Sequence, residues 1–240
     1  MHKQTLFFLL TIVSLNVFAQ KNSDIIKTRL TSHPSDHFML QLSSDRWQGA
    51  PDSIADRRVG NSRGANVYFM MDRPFKSNKH FSVAFGVGIG SSHIFLEKTN
   101  VDIAANEPKL LFENRENASN YKKYKVATTY LEIPVELRYS SNPSDPSKSF
   151  KLAIGGRVGT LLNAHTKGKI LRDAGGNTLS SSIQKVSARS YFNGNRVMAT
   201  ARIGYGNVSL FGAYAFGSVF KDGVAADMKL LQIGLTFSGL

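Results

Sequence analysis

The chain has 240 residues, no cysteine and a formal charge of +13 at neutral pH. That length holds one large all-β domain or two small ones, and the lack of thiols excludes a disulfide framework, thiolate catalysis and metal binding through sulfur. The cations are spread over loops and strand ends with no basic-aromatic platform for stacking bases, so no nucleic acid is expected as a partner.

Residues 1–19 read as a secretory leader. Lys3 gives a positive start, Thr5 to Leu15 supply an apolar run, and Val17-Phe18-Ala19 closes on a small residue, placing cleavage before Gln20. The run is far short of the ~20 residues of a spanning helix. No later segment is apolar for long enough either, so the exported chain is expected in the periplasm, outside the cell, or in the outer membrane as a barrel. Residues 20–35 are a polar lead-in to a domain covering 36–240. Across its end His33 and His37 are four apart, but Pro34 breaks the helix that a metal-binding pair would need.

The first strand is expected near Asp36–Ser43, with Phe38, Leu40 and Leu42 opposite Met39 and Gln41. A polar loop over 44–62 follows. Gly60 to Gly64 matches the G-x-S-x-G spacing of a nucleophile turn, yet that turn joins a buried strand to a helix, and here a loop precedes and a strand follows. The second strand, near Gly64–Arg73, sets Ala65, Val67, Phe69 and Met71 against Asn66, Tyr68, Met70 and Asp72.

The third strand, over 80–90 with an extension possible through Ile94 to Leu96, decides the reading. Phe81, Val83, Phe85, Val87 and Ile89 alternate with Ser82, Ala84, Gly86, Gly88 and Gly90. The period of two identifies a strand. One face is bulky and apolar, while the other has almost no side chain. A soluble sandwich pairs an apolar face with a charged one; this pattern fits lipid outside and a crowded barrel lumen inside. Residues 97–122 mix Glu, Asn and Lys without apolar period and read as a long loop.

In the fourth strand, near Lys125–Tyr139, Leu131, Ile133, Val135, Leu137 and Tyr139 alternate with Glu132, Pro134, Glu136 and Arg138. Paired carboxylates on one face can serve glycoside cleavage. The same inward parity also supplies Arg138, Arg157 and Arg202, and charges inside a narrow barrel persist when they pair across it. A structural cluster of Glu132, Glu136, Arg138, Arg157 and Arg202 is therefore expected, and with it a plugged lumen. The fifth strand (150–163) puts Leu152, Ile154, Val158 and Leu162 outward and Gly155, Arg157, Gly159 and Asn163 inward. A third long loop is expected over 164–194.

The sixth strand (195–205), the Gly206-Asn207 turn and the seventh strand (208–220) follow; the seventh directs Leu210, Tyr214, Phe216 and Phe220 outward. The last, 228–238, places Leu231, Ile233, Leu235 and Phe237 toward lipid. The expected fold is all-β, an eight-stranded antiparallel transmembrane barrel. Connections after strands one, three and five are long and those after two, four and six short, which assigns them to the cell exterior and the periplasm. Tyr68, Tyr121, Tyr124, Tyr130, Tyr139, Tyr205 and Phe220 are candidates for interfacial aromatic girdles.

The leader ending Ala19-Gln20, the strand from Tyr130 to Tyr139, the Gly155-Gly156-Arg157-Val158-Gly159 segment and the closing run Gln232 to Phe237 resemble the PorT-like outer-membrane β-barrel proteins of Bacteroidetes. The resemblance implies an outer-membrane barrel and, through PorT itself, a link to protein secretion. No catalytic residue, cofactor or metal is expected. The leading function is a non-enzymatic platform acting through its outer loops, with outer-membrane lipid, lipopolysaccharide and envelope or secretion proteins as partners. Two other readings remain: a lipid A-modifying enzyme using His93, His165 and neighbouring serines, and a periplasmic lipocalin-like carrier, whose bulky residues would point inward.

Overall fold

The computed structural model describes residues 38–60 and 62–239. The leader, the lead-in, the His33/His37 pair, and residues 36 and 37 of the first expected strand lie outside them. Eleven strands follow in chain order: β1 (Phe38–Gln48), β2 (Arg63–Pro74), β3 (Phe81–Leu96), β4 (Thr99–Val101), β5 (Phe112–Asn114), β6 (Asn120–Ser140), β7 (Phe150–Arg172), β8 (Thr178–Ser187), β9 (Asn195–Tyr205), β10 (Val208–Ser218) and β11 (Lys229–Ser238). Among the described residues, helix is confined to single turns at Asp52–Ala55 and Pro146–Lys148.

Eight strands form a closed antiparallel barrel: β1, β2, β3, β6, β7, β9, β10 and β11 each pair with the next, and β1 pairs with β11 from Met39–Ser238 to Gln48–Lys229. Closure satisfies the backbone groups of every stave from within the wall, as hydrocarbon surroundings require. β4 and β5 make a separate ribbon, while β8 pairs with β7 over His165–Arg172, the end away from the short turns. The turns at 75–80, 141–149 and 206–207 gather at one end. Gly206, at φ +59°, supplies the left-handed residue of the tightest of them.

The alternation of the sequence becomes the two faces of the wall. In β3, Phe81, Phe85, Val87 and Ile89 are exposed, whereas Ser82, Ala84 and Gly90 are buried. In β6, Leu131, Ile133, Val135 and Leu137 are exposed, and Glu132, Pro134, Glu136 and Arg138 are buried. The lipocalin-like arrangement would invert both patterns.

The strands outrun their expected ends toward the long loops. β1 continues five residues past Ser43, carrying Asp45 and Trp47 inward. The expected loop at 164–194 is largely strand: β7 runs to Arg172, turns at 173–177 and returns as β8. Here the alternation pairs buried Ala164, Thr166 and Gly168 with half-exposed His165 and Lys167 and exposed Lys169, so no bulky apolar set marks either face. The stretch 97–122 also departs from expectation, because it contains the β4–β5 ribbon and buries Val101, Ile103 and Leu110. A bulge opposite Thr129 and Tyr130 aligns Leu161 with Tyr130 and Asn163 with Thr129, so Asn163 sits on the outer face instead of in the lumen.

The aromatic girdle is correspondingly smaller. Tyr68, Tyr124, Tyr130 and Phe220 are buried inside. Tyr205 stays 62% exposed, and Tyr139 meets Phe81 at 5.2 Å between ring centroids at the short-turn end.

Candidate functional site

Two charged layers fill the lumen, both anchored on β6. Nearer the short turns, Glu136 accepts from Arg202 Nη2 at 2.7 Å, Arg202 Nε at 3.2 Å and Arg138 Nε at 2.9 Å. Arg138 Nη1 is 3.7 Å from Asp72, which accepts from Ser82 at 2.8 Å. In the next layer Glu132, with no solvent exposure, accepts from the Tyr68 hydroxyl at 2.5 Å and from Arg196 Nε at 2.9 Å, and Arg157 Nε lies 3.5 Å away. Arg157 in turn donates to the Tyr68 hydroxyl at 2.5 Å and to Gln232. The Gln232 amide donates to both oxygens of Asp45, at 3.1 and 3.0 Å.

Each layer balances two carboxylates against two guanidinium groups: Glu136 and Asp72 with Arg138 and Arg202, then Glu132 and Asp45 with Arg157 and Arg196. Burial of such charges costs several kcal/mol per ion unless geometry and hydrogen bonds compensate; here the charges are paired, while Arg157 Nε and Arg196 Nη2 face Glu132 at 3.5 and 2.9 Å without an aligned hydrogen bond. The five charged residues expected to cluster thus divide between two groups, with Glu132 and Arg157 in one and Glu136, Arg138 and Arg202 in the other. Arg196, Asp45 and Tyr68 complete the first group and Asp72 the second. Arg196 shares the inward parity of Arg202, but it stands at the first residues of its strand, where parity is hardest to read.

The glycines of β3 make the space. A Cβ at Gly90 would come within 2.9 Å of Arg196 Nη2 and 3.0 Å of the Glu132 carboxyl carbon, and one at Gly88 within 2.5 Å of the Tyr68 ring. The bare face of β3 is therefore the imprint of side chains arriving from β2, β6 and β9.

Above the charged layers the interior turns apolar. Trp47 of β1, Phe112 of β5, Phe192 from the β8–β9 connection and Phe220 from the β10–β11 connection converge, with Trp47–Phe220 at 5.5 Å, Phe192–Phe220 at 5.1 Å and Phe112–Phe220 at 5.9 Å between centroids. Polar ties hold the loops over the mouth. Tyr191 donates to the carbonyls of Ala105 and Glu107 at 2.6 and 2.8 Å, Tyr124 to that of Val101 at 2.8 Å, and Leu110 N to Val224 O at 2.9 Å. The long connections are thus a folded cap.

On the outer wall, His93 Nε2 lies 3.0 Å from Ser91 Oγ, the one serine–histidine side-chain contact among the described residues that invites an enzymatic reading. Its polarity is wrong for a general base. Lys125 Nζ donates to Nδ1 at 3.0 Å, which leaves the ring proton on Nε2 and makes Ser91 the acceptor. A triad places a carboxylate where Lys125 stands. His165 of β7 pairs with Ala127 of β6 and Ser187 of β8, so β6 stands between its strand and that of His93. Ser62 of the G-x-S-x-G stretch is a turn lock, donating to Val59 O at 3.2 Å and accepting from Phe95 N at 2.9 Å. Among the described residues no group of three or more His, Asp or Glu is arranged to hold a metal ion.

A family model described as an outer membrane protein beta-barrel domain matches residues 31–221. The chain belongs to this family. As an outer-membrane β-barrel, it has transmembrane staves whose apolar outer face and filled interior follow the physics of that setting. No curated protein matches the chain. Among solved structures, Ail, the attachment invasion locus protein of Yersinia pestis, in complex with the heparin analogue sucrose octasulfate, aligns at 12% identity with a TM-score of 0.35, over 84% of this chain and 94% of that one.

Proposed function

We propose that this outer-membrane barrel is non-enzymatic and serves as a structural or interaction platform, with the long loops outside the cell and the short turns in the periplasm. The observation that carries this reading is the double closure of the lumen, first by two charge-balanced layers and then by an apolar cap. A diffusion pore needs a continuous polar path, and an eight-stranded barrel has room only for its own side chains. The donor direction at Ser91–His93–Lys125 weighs against the lipid A-modifying alternative. In this reading residues 1–19 are the cleaved leader, 20–35 a periplasmic lead-in and 36–240 the barrel. Kinship with PorT-like proteins adds a role in secretion or envelope assembly, with lipopolysaccharide and envelope proteins as partners. Planar-bilayer recording of the folded protein is expected to show no steady conductance, and lipid A from cells with and without it should have the same mass. A stable channel or a shifted lipid A mass would defeat the proposal.

The lipid-facing set in this reading is Phe81, Val83, Phe85, Val87, Ile89, Leu131, Ile133, Val135, Leu137, Leu231, Ile233, Leu235 and Phe237. Ile133 lies mid-stave and is exposed. Ile133→Arg is expected to lower unfolding stability in lipid vesicles by about 2–4 kcal/mol, the depth-dependent cost of a cation near the bilayer midplane. Stability equal to the parent protein would show that this face does not meet lipid.

A further inference from the structure

Beyond the apolar belt, the outward face of β2, β3, β6, β7 and β8 becomes basic. The last apolar row on β3 and β6 pairs Ile89 with Leu131, and the next pairs Ser91 with Thr129, their hydroxyls 3.3 Å apart. Arg63, His93, Ala127 and His165 then lie side by side. One row further out come Phe95, Lys125, Lys167 and Lys185, followed by Lys123 beside Lys169. Arg63 and Lys125 flank the Phe95 ring at 5.5 and 5.9 Å from its centroid.

No acidic residue occupies the outward face of these five strands; Glu97, one residue past β3, is the first carboxylate reached along it. The loops differ, for there Arg57 and Lys98 pair with Glu116, and Arg115 with Glu113. On the wall, like charges stand directly opposite each other, an arrangement that disfavours the sheet by itself. Anions supplied from outside the chain would relieve that repulsion.

Height and direction select the anion. At ~3.3 Å per residue and a tilt of ~40°, the histidine and lysine rows stand on the order of 10 and 15 Å above the last apolar row, at and just above a headgroup layer. Their side chains point sideways from the wall, where lipid neighbours stand. Long lysine stems reach from there toward the membrane surface.

We propose that this wall binds the phosphate groups of outer-leaflet lipid A, with Lys125, Lys167 and Lys185 at its centre and Arg63, Lys123 and Lys169 at its rim. The site rests on the loops-outside orientation proposed above.

Native mass spectrometry of the folded protein in detergent tests it, with phosphorylated and dephosphorylated lipid A as probes. The parent is compared with K125Q/K167Q/K185Q and with K76Q/K79Q/K148Q, which removes three cations from the short-turn end; heat-modified electrophoretic mobility reports folding. The parent and the short-turn variant should retain phosphorylated lipid A, the wall variant at least about tenfold less, and none should retain the dephosphorylated form. Equal retention by parent and wall variant, or of both lipid forms, overturns the site while leaving the platform reading intact. Loss confined to the short-turn variant overturns the orientation and the site together. Binding of inorganic polyphosphate without lipid A would assign the wall to a soluble polyanion and overturn the lipid assignment. If the wall variant does not fold, the comparison of the two lipid A forms on the parent decides.

Discussion

Replacing Glu132 by Gln is expected to lower the unfolding stability of the barrel in lipid vesicles by about 3–5 kcal/mol, the range for removing one partner of a buried ion pair. The side chain has no exposure and accepts from Tyr68 and Arg196 while Arg157 stands 3.5 Å away. Gln keeps the shape and one acceptor oxygen, so the loss reports charge more than volume. Two guanidinium groups are then left facing the single remaining carboxylate of the layer, Asp45, which Arg157 reaches only through Gln232. Adding R157M removes one stranded cation and should recover part of the loss, so the two changes together cost less than their sum. Trp47, the chain's single tryptophan, is buried above this layer and gives the fluorescence signal for urea titration. A loss below about 1 kcal/mol for E132Q would mean that water, not the protein, solvates the carboxylate.

The architecture was legible where the two faces of a strand differ most. In β3 and β6 the apolar set is unbroken for nine residues, and a one-residue slip would expose every charge to lipid, so faces and register follow from pattern alone. The inward charges were legible for the same reason, though their division into two layers depends on stagger between strands that no single strand records. The reading failed at the loop end. Past Thr129 and Asn163 the outward residues are polar, and the bulge inverts the parity of β7, so a long hairpin looked like a loop. Phe220 shares the outward parity of Phe216 in the sequence, but β10 ends at Ser218 and Phe220 is buried beyond it. Val101, Ile103 and Leu110 have no period because they belong to an irregular cap, held by hydrogen bonds donated by the Tyr124 and Tyr191 hydroxyls and accepted by the Val224 carbonyl, which connect distant parts of the chain.

Phe220→Ala is expected to separate the two closures. Phe220 is fully buried and touches the rings of Trp47, Phe112 and Phe192, which reach it from three other segments. Truncation should cost about 3–5 kcal/mol, as for other buried aromatic side chains replaced by alanine. The loss should be local in its first effect. Trp47 emission shifts to the red as water enters the cap, and trypsin cuts faster at exposed Lys109 and Lys221, which flank the loosened connections. Conductance should nevertheless stay at baseline, because Glu132, Arg157, Glu136 and Arg202 lie deeper and do not contact the cap aromatics. A steady channel in F220A would mean that the apolar cap alone seals the barrel and that the charged layers are wet. Unchanged cleavage and emission would mean that the outer connections hold their shape without the ring cluster. With the cap loosened and the lumen still closed, what the long loops present to a partner can be varied without opening the membrane, the property expected of the proposed platform and not of a pore.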